Sequence, residues 1–179
     1  MNFNFDELQL IHFADPRLNK KPPEFDFEKN GDIAEELAAV VYKKMLEVKG
    51  AGLSANQIGL PYRMFVMGNE STCVAMFNPK LIGASKEQDT MEESCISQPN
   101  FSLVLKRPSQ IAVEYQDDKG TTHHKGFEGI PARIILHEYD HMEGVNFTHH
   151  ASTFKLQYSI QRWKKRQKKI LQRMKHGHT

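Results

Sequence analysis

Residues 130–142 read IPARIILHEYDHM, and the run His137-Glu138-Tyr139-Asp140-His141 within them decides what the rest of the chain must supply. Pro131 stands where a helix tolerates a missing N–H, and Ile134, Ile135, His137, His141 and Met142 recur as on an amphipathic helix, with Gly144 as its stop. A helix is therefore predicted over 130–142. On a helix the pattern H-E-x-x-H points two imidazoles the same way, one turn apart, and sets the glutamate beside the attacking water. Zinc or ferrous iron suits that convergence. A catalytic zinc usually takes three protein ligands plus water, so a third ligand has to be found.

Downstream candidates are poor. An extended zinc endopeptidase motif would run on as H-E-x-x-H-x-x-G-x-x-H, but Phe147 stands where the last histidine belongs, and His149 and His150 are out of register. No Asp or Glu follows Glu143, so an endopeptidase with a later glutamate ligand has no candidate either. Upstream, Cys95 lies in Glu92-Glu93-Ser94-Cys95-Ile96-Ser97, a polar segment that reads as turn-like, and one Cys with two His suits Zn²⁺ or Fe²⁺. On the residues alone the bland alternatives stay open, since a five-residue match arises by chance and a lone cysteine serves as a small core residue.

Outward from the motif, residues 32–48 (DIAEELAAVVYKKMLEV) carry Ile33, Leu37, Val40, Val41, Met45 and Val48 at helical spacing before Gly50 and Gly52. Lys43, Lys44 and Lys49 suit the negative end of that helix. Segments 62–68, 72–77, 101–105 and 109–115 are short, rich in β-branched and aromatic residues, and bounded by turn residues, which predicts antiparallel strands. Residues 152–175 form a further helix with a stripe of Leu156, Ile160, Trp163, Gln167, Ile170, Leu171 and Met174. The expected class is α+β: antiparallel sheets around a central HExxH-bearing helix, with a C-terminal basic helix.

A length of 179 residues fits one domain, and charged residues at 26% with a mean hydropathy of −0.58 give no stretch apolar enough for a bilayer. Asp6 and Glu7 stand where a signal peptide would be basic, and the two cysteines, Cys73 and Cys95, are no disulfide framework. A cytoplasmic location is expected, with neither a membrane nor DNA as partner. From Ser152 onward there are nine Lys or Arg and no acid, leaving 15 basic against 22 acidic side chains in residues 1–151, a net charge of −7. The expected division is a catalytic body, 1–151, and a basic extension, 152–179.

Four segments together resemble one family, the bacterial-type peptide deformylases. Gly50-Ala51-Gly52-Leu53-Ser54-Ala55-Asn56-Gln57 is similar to the family's G-x-G-L-A-A-x-Q, Glu93-Ser94-Cys95-Ile96-Ser97 to E-G-C-L-S, and Leu136 through Gly144 to Q-H-E-x-D-H-x-x-G. The opening Asp15-Pro16-Arg17-Leu18 resembles the family's D-P-x-L, so the likeness covers roughly residues 8 to 147. It implies an enzyme that removes the formyl group from N-formylmethionyl peptides, with Cys95, His137 and His141 holding one divalent metal ion, ferrous iron in the family, with zinc or another divalent ion in purified protein.

By the same resemblance Glu138 is the general acid and base, Gln57 an oxyanion donor with the Ile96 N–H beside it, and the backbones of Gly52 and Ser94 align the peptide. Ala51, Met91, Ile130 and Ile134 would line the methionine pocket. Glu93 would pair with Arg107 and orient the cysteine loop, the alternative being a surface pair worth roughly 0–1 kcal/mol. A ribosome or ribosomal RNA is the expected partner of the helix over 152–176. Ser54, Ser94, Ile96 and Leu136 depart from the motifs, and Ser102 stands where some members carry arginine; Ser94 would crowd the cleft if that position required φ > 0. The competing classes are a zinc endopeptidase and a non-enzymatic domain with a structural Cys-His-His metal.

Overall fold

The computed structural model describes residues 5–176; the ends of the expected body and extension, 1–4 and 177–179, lie outside the described residues, as does the side chain of Met174. A strand of period two buried on both faces orders the molecule. In β2 (Met64–Asn69) the side chains of Met64 and Val66 pack with Leu37, Val41 and Met45, whereas Phe65 and Met67 pack with Ile135, Leu136 and Met142. The first set belongs to α2 (Ala34–Glu47) and the second to α3 (Gly129–Met142), so the helices cover opposite faces of one sheet. Each fully buried Leu or Met contributes roughly 1.5–3 kcal/mol.

That sheet has five strands in the order β1 (Gly52–Ser54), β2, β3 (Thr72–Ala84), β6 (Gln110–Gln116) and β7 (Thr122–Glu128), all antiparallel. A separate two-stranded ribbon pairs β4 (Gln88–Cys95) with β5 (Gln98–Pro108). The fold is α+β with antiparallel sheets and a C-terminal helix, α4 (Thr153–His176). No helix among the described residues is long and apolar enough to cross a membrane.

The four expected strands fall in β2, β3, β5 and β6, and three further strands have no counterpart among the expectations. β7 reads THHKGFE and β4 reads QDTMEESC, polar runs at largely exposed positions, where backbone pairing rather than apolar alternation makes the strand. The stretch 92–97 is consequently not turn-like: Cys95 closes a strand and only Ile96 and Ser97 turn. The helix expected over 32–48 runs from Ala34, after a single 3-10 turn over Gly31–Ile33, and its Lys44 is buried, with Nζ 3.0 Å from Glu47. A short α1 (Phe27–Asn30), capped by Asp26, precedes it.

The C-terminal helix divides into two halves. Leu156, Ile160 and Trp163, one turn apart in succession, pack on Phe101, Leu103, Leu105 and Phe147, and the Trp163 Nε1–H donates to the Pro99 carbonyl at 3.3 Å. Beyond Trp163 the expected stripe is covered only in part, since Gln167 is half-buried while Ile170 and Leu171 are exposed. The packed cluster also contains Cys95, so the first half of this helix backs the candidate site.

Candidate active site

Helix α3 packs Ile135, Leu136 and Met142 against the sheet and turns Arg133, His137 and His141, at successive one-turn steps, toward the ribbon. Its stop is sterically set, because Gly144 has φ 67° and a methyl group there would stand 2.8 Å from the Asn19 carbonyl oxygen. The ribbon brings Cys95 to the same point. One donor atom each from Cys95, His137 and His141 lies within 4.8 Å of the others, with Cys95 Sγ 3.3 Å from His141 Nε2.

Electrostatics favour the ligating form of Cys95 and oppose that of His137. Burial pushes the Cys95 thiol up, but hydrogen bonds and charge from His137 and His141 outweigh it and bring it down to about 6. For His137, burial opposes the imidazolium while Cys95, Glu93 and Glu138 favour it, raising it to about 10, so proton and metal compete for that ring. His137 Nδ1 lies 3.4 Å from Glu93 Oε2, which leaves Nε2 for an ion. His141 Nδ1 is buried and has no hydrogen-bond partner among the described residues. A thiolate with two imidazoles converging to this distance, His137 held from behind by Glu93, fits a divalent ion of the zinc or iron type.

Beside the group lies a cleft of about 530 Å³. All six expected substrate-contact residues line it (Ala51, Gly52, Met91, Ser94, Ile130 and Ile134), as do Gln57, Ile96, His137 and Glu138. Ile130, also among the lining residues, is 67% exposed and stands at the mouth of the cleft. Ser94 has no positive φ, so its side chain is accommodated in an extended strand and backbone geometry imposes no crowding there. Ser102, paired across from Ser94, donates its hydroxyl to Glu92 Oε1 at 2.6 Å.

Gln57 is buried with its amide fixed at both ends: the Ser54 N–H donates to Oε1 at 3.0 Å, while Nε2 donates to Ser97 Oγ at 3.1 Å and faces Cys95 Sγ at 3.5 Å. Glu138 is 4% exposed and accepts the Ser54 hydroxyl at Oε2.

The Glu93–Arg107 contact is no surface pair. Arg107 Nε and Nη2 donate to Glu93 at 3.0 and 2.9 Å, both residues are buried, and Asp140 adds a carboxylate 2.8 Å from Arg107. Although burial raises it, the Glu93 carboxyl is brought down to about 2 by His137, Arg107 and Arg133. Sequence reasoning misses Arg133, which donates to Glu93 at 2.7 Å, to the Leu105 carbonyl at 3.1 Å and to the Asp89 carbonyl at 2.6 Å, tying α3 to both ribbon strands. A charge one turn before His137 on the ligand face is the available signal. It misses Asp140 as well, which His150 approaches to 3.0 Å.

Removing Glu93 leaves the buried Arg133 without a carboxylate partner and Arg107 with Asp140 alone. Glu93→Ala is expected to lower stability by about 3–5 kcal/mol, read as a drop in the denaturant midpoint, and a loss below about 1 kcal/mol would return the pair to surface rank.

A Cys-His-His donor group next to a buried glutamate, beside a cleft in an α+β fold, fits the class of metallohydrolases. Residues 8–157 match the polypeptide deformylase family. The chain is 33% identical over 165 residues to the peptide deformylase of Christiangramia forsetii, covering 83% of each, and 33% identical over 170 residues to that of Rhodopseudomonas palustris strain BisA53, covering 91% of this chain and 92% of the relative. The crystal structure of the peptide deformylase from Thermotoga maritima superposes with a TM-score of 0.74 at 32% identity, covering 81% of this chain and 97% of that one. The chain belongs to the polypeptide deformylase family. It is a hydrolase that removes the formyl group from nascent peptides, which disfavours both the endopeptidase and the non-enzymatic alternatives.

Proposed function

We propose that Cys95, His137 and His141 hold one divalent ion, ferrous iron in the cell, and that α3 is the central catalytic helix. The observation that carries this reading is the convergence of the three donors within 4.8 Å beside the cleft. When bound, the ion supplies positive charge that polarises the formyl carbonyl and acidifies the attacking water.

Glu138 takes the proton from that water, whose oxygen bonds to the formyl carbon, and returns it to the peptide nitrogen as the carbon–nitrogen bond breaks; formate and a free amino terminus leave. Gln57 and the Ile96 N–H donate to the formyl oxygen as it gains charge, each worth up to ~3–4 kcal/mol in good geometry. The backbones of Gly52 and Ser94 align the peptide, and Ala51, Met91 and Ile134 receive the methionine side chain, with Ile130 at the rim. Glu93, with Arg107 and Arg133, holds His137 and the end of β4 in register. Anaerobic purification with metal analysis, followed by formate release from a formyl-methionyl peptide, tests the reading; iron-loaded protein that releases no formate would refute it.

We further propose a cytoplasmic enzyme with a catalytic body over 1–151 and an extension over 152–179 whose outer half docks on ribosomal RNA. Support comes from the nine basic and no acidic residues from Ser152 onward, and from the exposure of Ile170 and Leu171. Seven of the nine basic residues lie beyond Trp163. Truncation after Trp163 is therefore expected to leave folding and turnover of a short formyl peptide intact while weakening ribosome affinity at least about tenfold and flattening its salt dependence. Truncation after Thr153 also removes Leu156, Ile160 and Trp163 from the Cys95 cluster, so it destabilises the body. Unchanged ribosome affinity after the cut at Trp163 would refute docking.

A further inference from the structure

Ser54, the last residue of β1, is fully buried and touches both side chains assigned to the chemistry. Its hydroxyl donates to Glu138 Oε2 at 2.5 Å, and its backbone N–H donates to Gln57 Oε1 at 3.0 Å. A serine hydroxyl has a single proton to donate, and here the carboxylate takes it. The other oxygen, Oε1, lies against Gly52, where an added methyl group would stand 2.7 Å away, and Gly52 and Glu138 both line the cleft. One carboxylate oxygen is anchored by a hydrogen bond and the other faces Gly52 at the cleft.

We infer that Ser54 is a positioning residue for proton transfer: its hydroxyl clamps Oε2 of Glu138 so that Oε1 alone meets the formyl peptide. The inference rests on Glu138 as the proton carrier. The last torsion of a glutamate is broad, so an unclamped carboxylate spreads over many orientations, whereas a hydroxyl-to-carboxylate bond is short and charge-assisted. Pairing of Ser54 with Phe65 of β2 holds the clamp itself in place. Oε1 takes the proton from water and returns it to the departing nitrogen, and Ser54 keeps its own proton throughout. Alanine occupies this position in the family motif, so the backbone accepts the smaller side chain.

The test is a double-mutant cycle on the full-length, metal-loaded enzyme with a formyl-methionyl peptide. Ser54→Ala is expected to lower kcat by roughly three- to tenfold, with KM within about twofold and bound metal unchanged, because a hydrogen bond to a charged group is lost. In the Glu138→Ala background the same substitution is expected to change the residual rate by less than about twofold, since nothing remains to be clamped. An equal loss in both backgrounds would assign Ser54 to Gln57 or to strand packing and overturn the clamp, as would an unchanged kcat in Ser54→Ala alone. If Glu138→Ala itself keeps the wild-type rate, the reading of Glu138 fails and the clamp fails with it.

Discussion

Glu138→Ala is expected to lower kcat for a formyl-methionyl peptide by about 10²- to 10⁴-fold while the protein stays folded and metal-loaded, because general acid–base catalysis contributes on that order. Glu138 is not among the three converging donors, so its removal leaves the Cys-His-His group whole. It is buried, with one oxygen on the Ser54 hydroxyl, and its loss leaves that hydroxyl without its partner. The vacated space opens on the cleft, where water can reach it, so the stability cost is held to about 1–3 kcal/mol. Steady-state formate release and metal analysis on the same preparation check the result. Loss of metal from the variant, with activity restored on reconstitution, would give Glu138 a supporting role instead.

Cys95→Ser is expected to weaken metal binding by at least about 100-fold and to abolish most formate release. The thiol is brought down to about 6 by the two histidines against the opposing effect of burial, so it ionises readily, whereas a serine hydroxyl at the same point stays protonated and is a harder donor. Two imidazoles alone hold a divalent ion weakly. The packing cost is smaller: Cys95 sits among Phe101, Leu103 and Phe147, and a buried hydroxyl there costs about 1–3 kcal/mol unless it finds a partner. Competition of each protein against a chromogenic chelator under anaerobic conditions measures the affinity directly. Full metal content and activity in Cys95→Ser would remove the cysteine from the donor set.

Two of the three proposed metal ligands are legible because they are local. His137 and His141 lie one turn apart on one helix, and the period that predicts the helix also fixes their common direction. Cys95 is reached by excluding downstream ligands and by its polar surroundings, although those surroundings form a strand rather than a turn. β4 and β7 are not legible because exposed strands carry no apolar alternation, and their existence depends on the neighbour that completes their hydrogen bonds. The apolar stripe of the C-terminal helix reads as one surface, yet Leu156, Ile160 and Trp163 pack against the Phe101 cluster while Ile170 and Leu171 stay exposed.

By itself the sequence determined the three longer helices, the strands with apolar faces, the two-histidine motif and its glutamate, and the charge division between body and tail, since all of these are short-range patterns. Tertiary structure decided the partners. Ser54 meets Glu138 across 84 residues of chain, Gln57 meets Cys95 across 38, and Arg133 meets Glu93 across 40. Periodicity states which face of an element is apolar or polar but not which other face it will meet. Only the packing of α3 between the sheet and the ribbon brings a buried carboxylate, two guanidinium groups and three donor atoms to one place, where low polarity makes each contact strong and each unpaired charge costly.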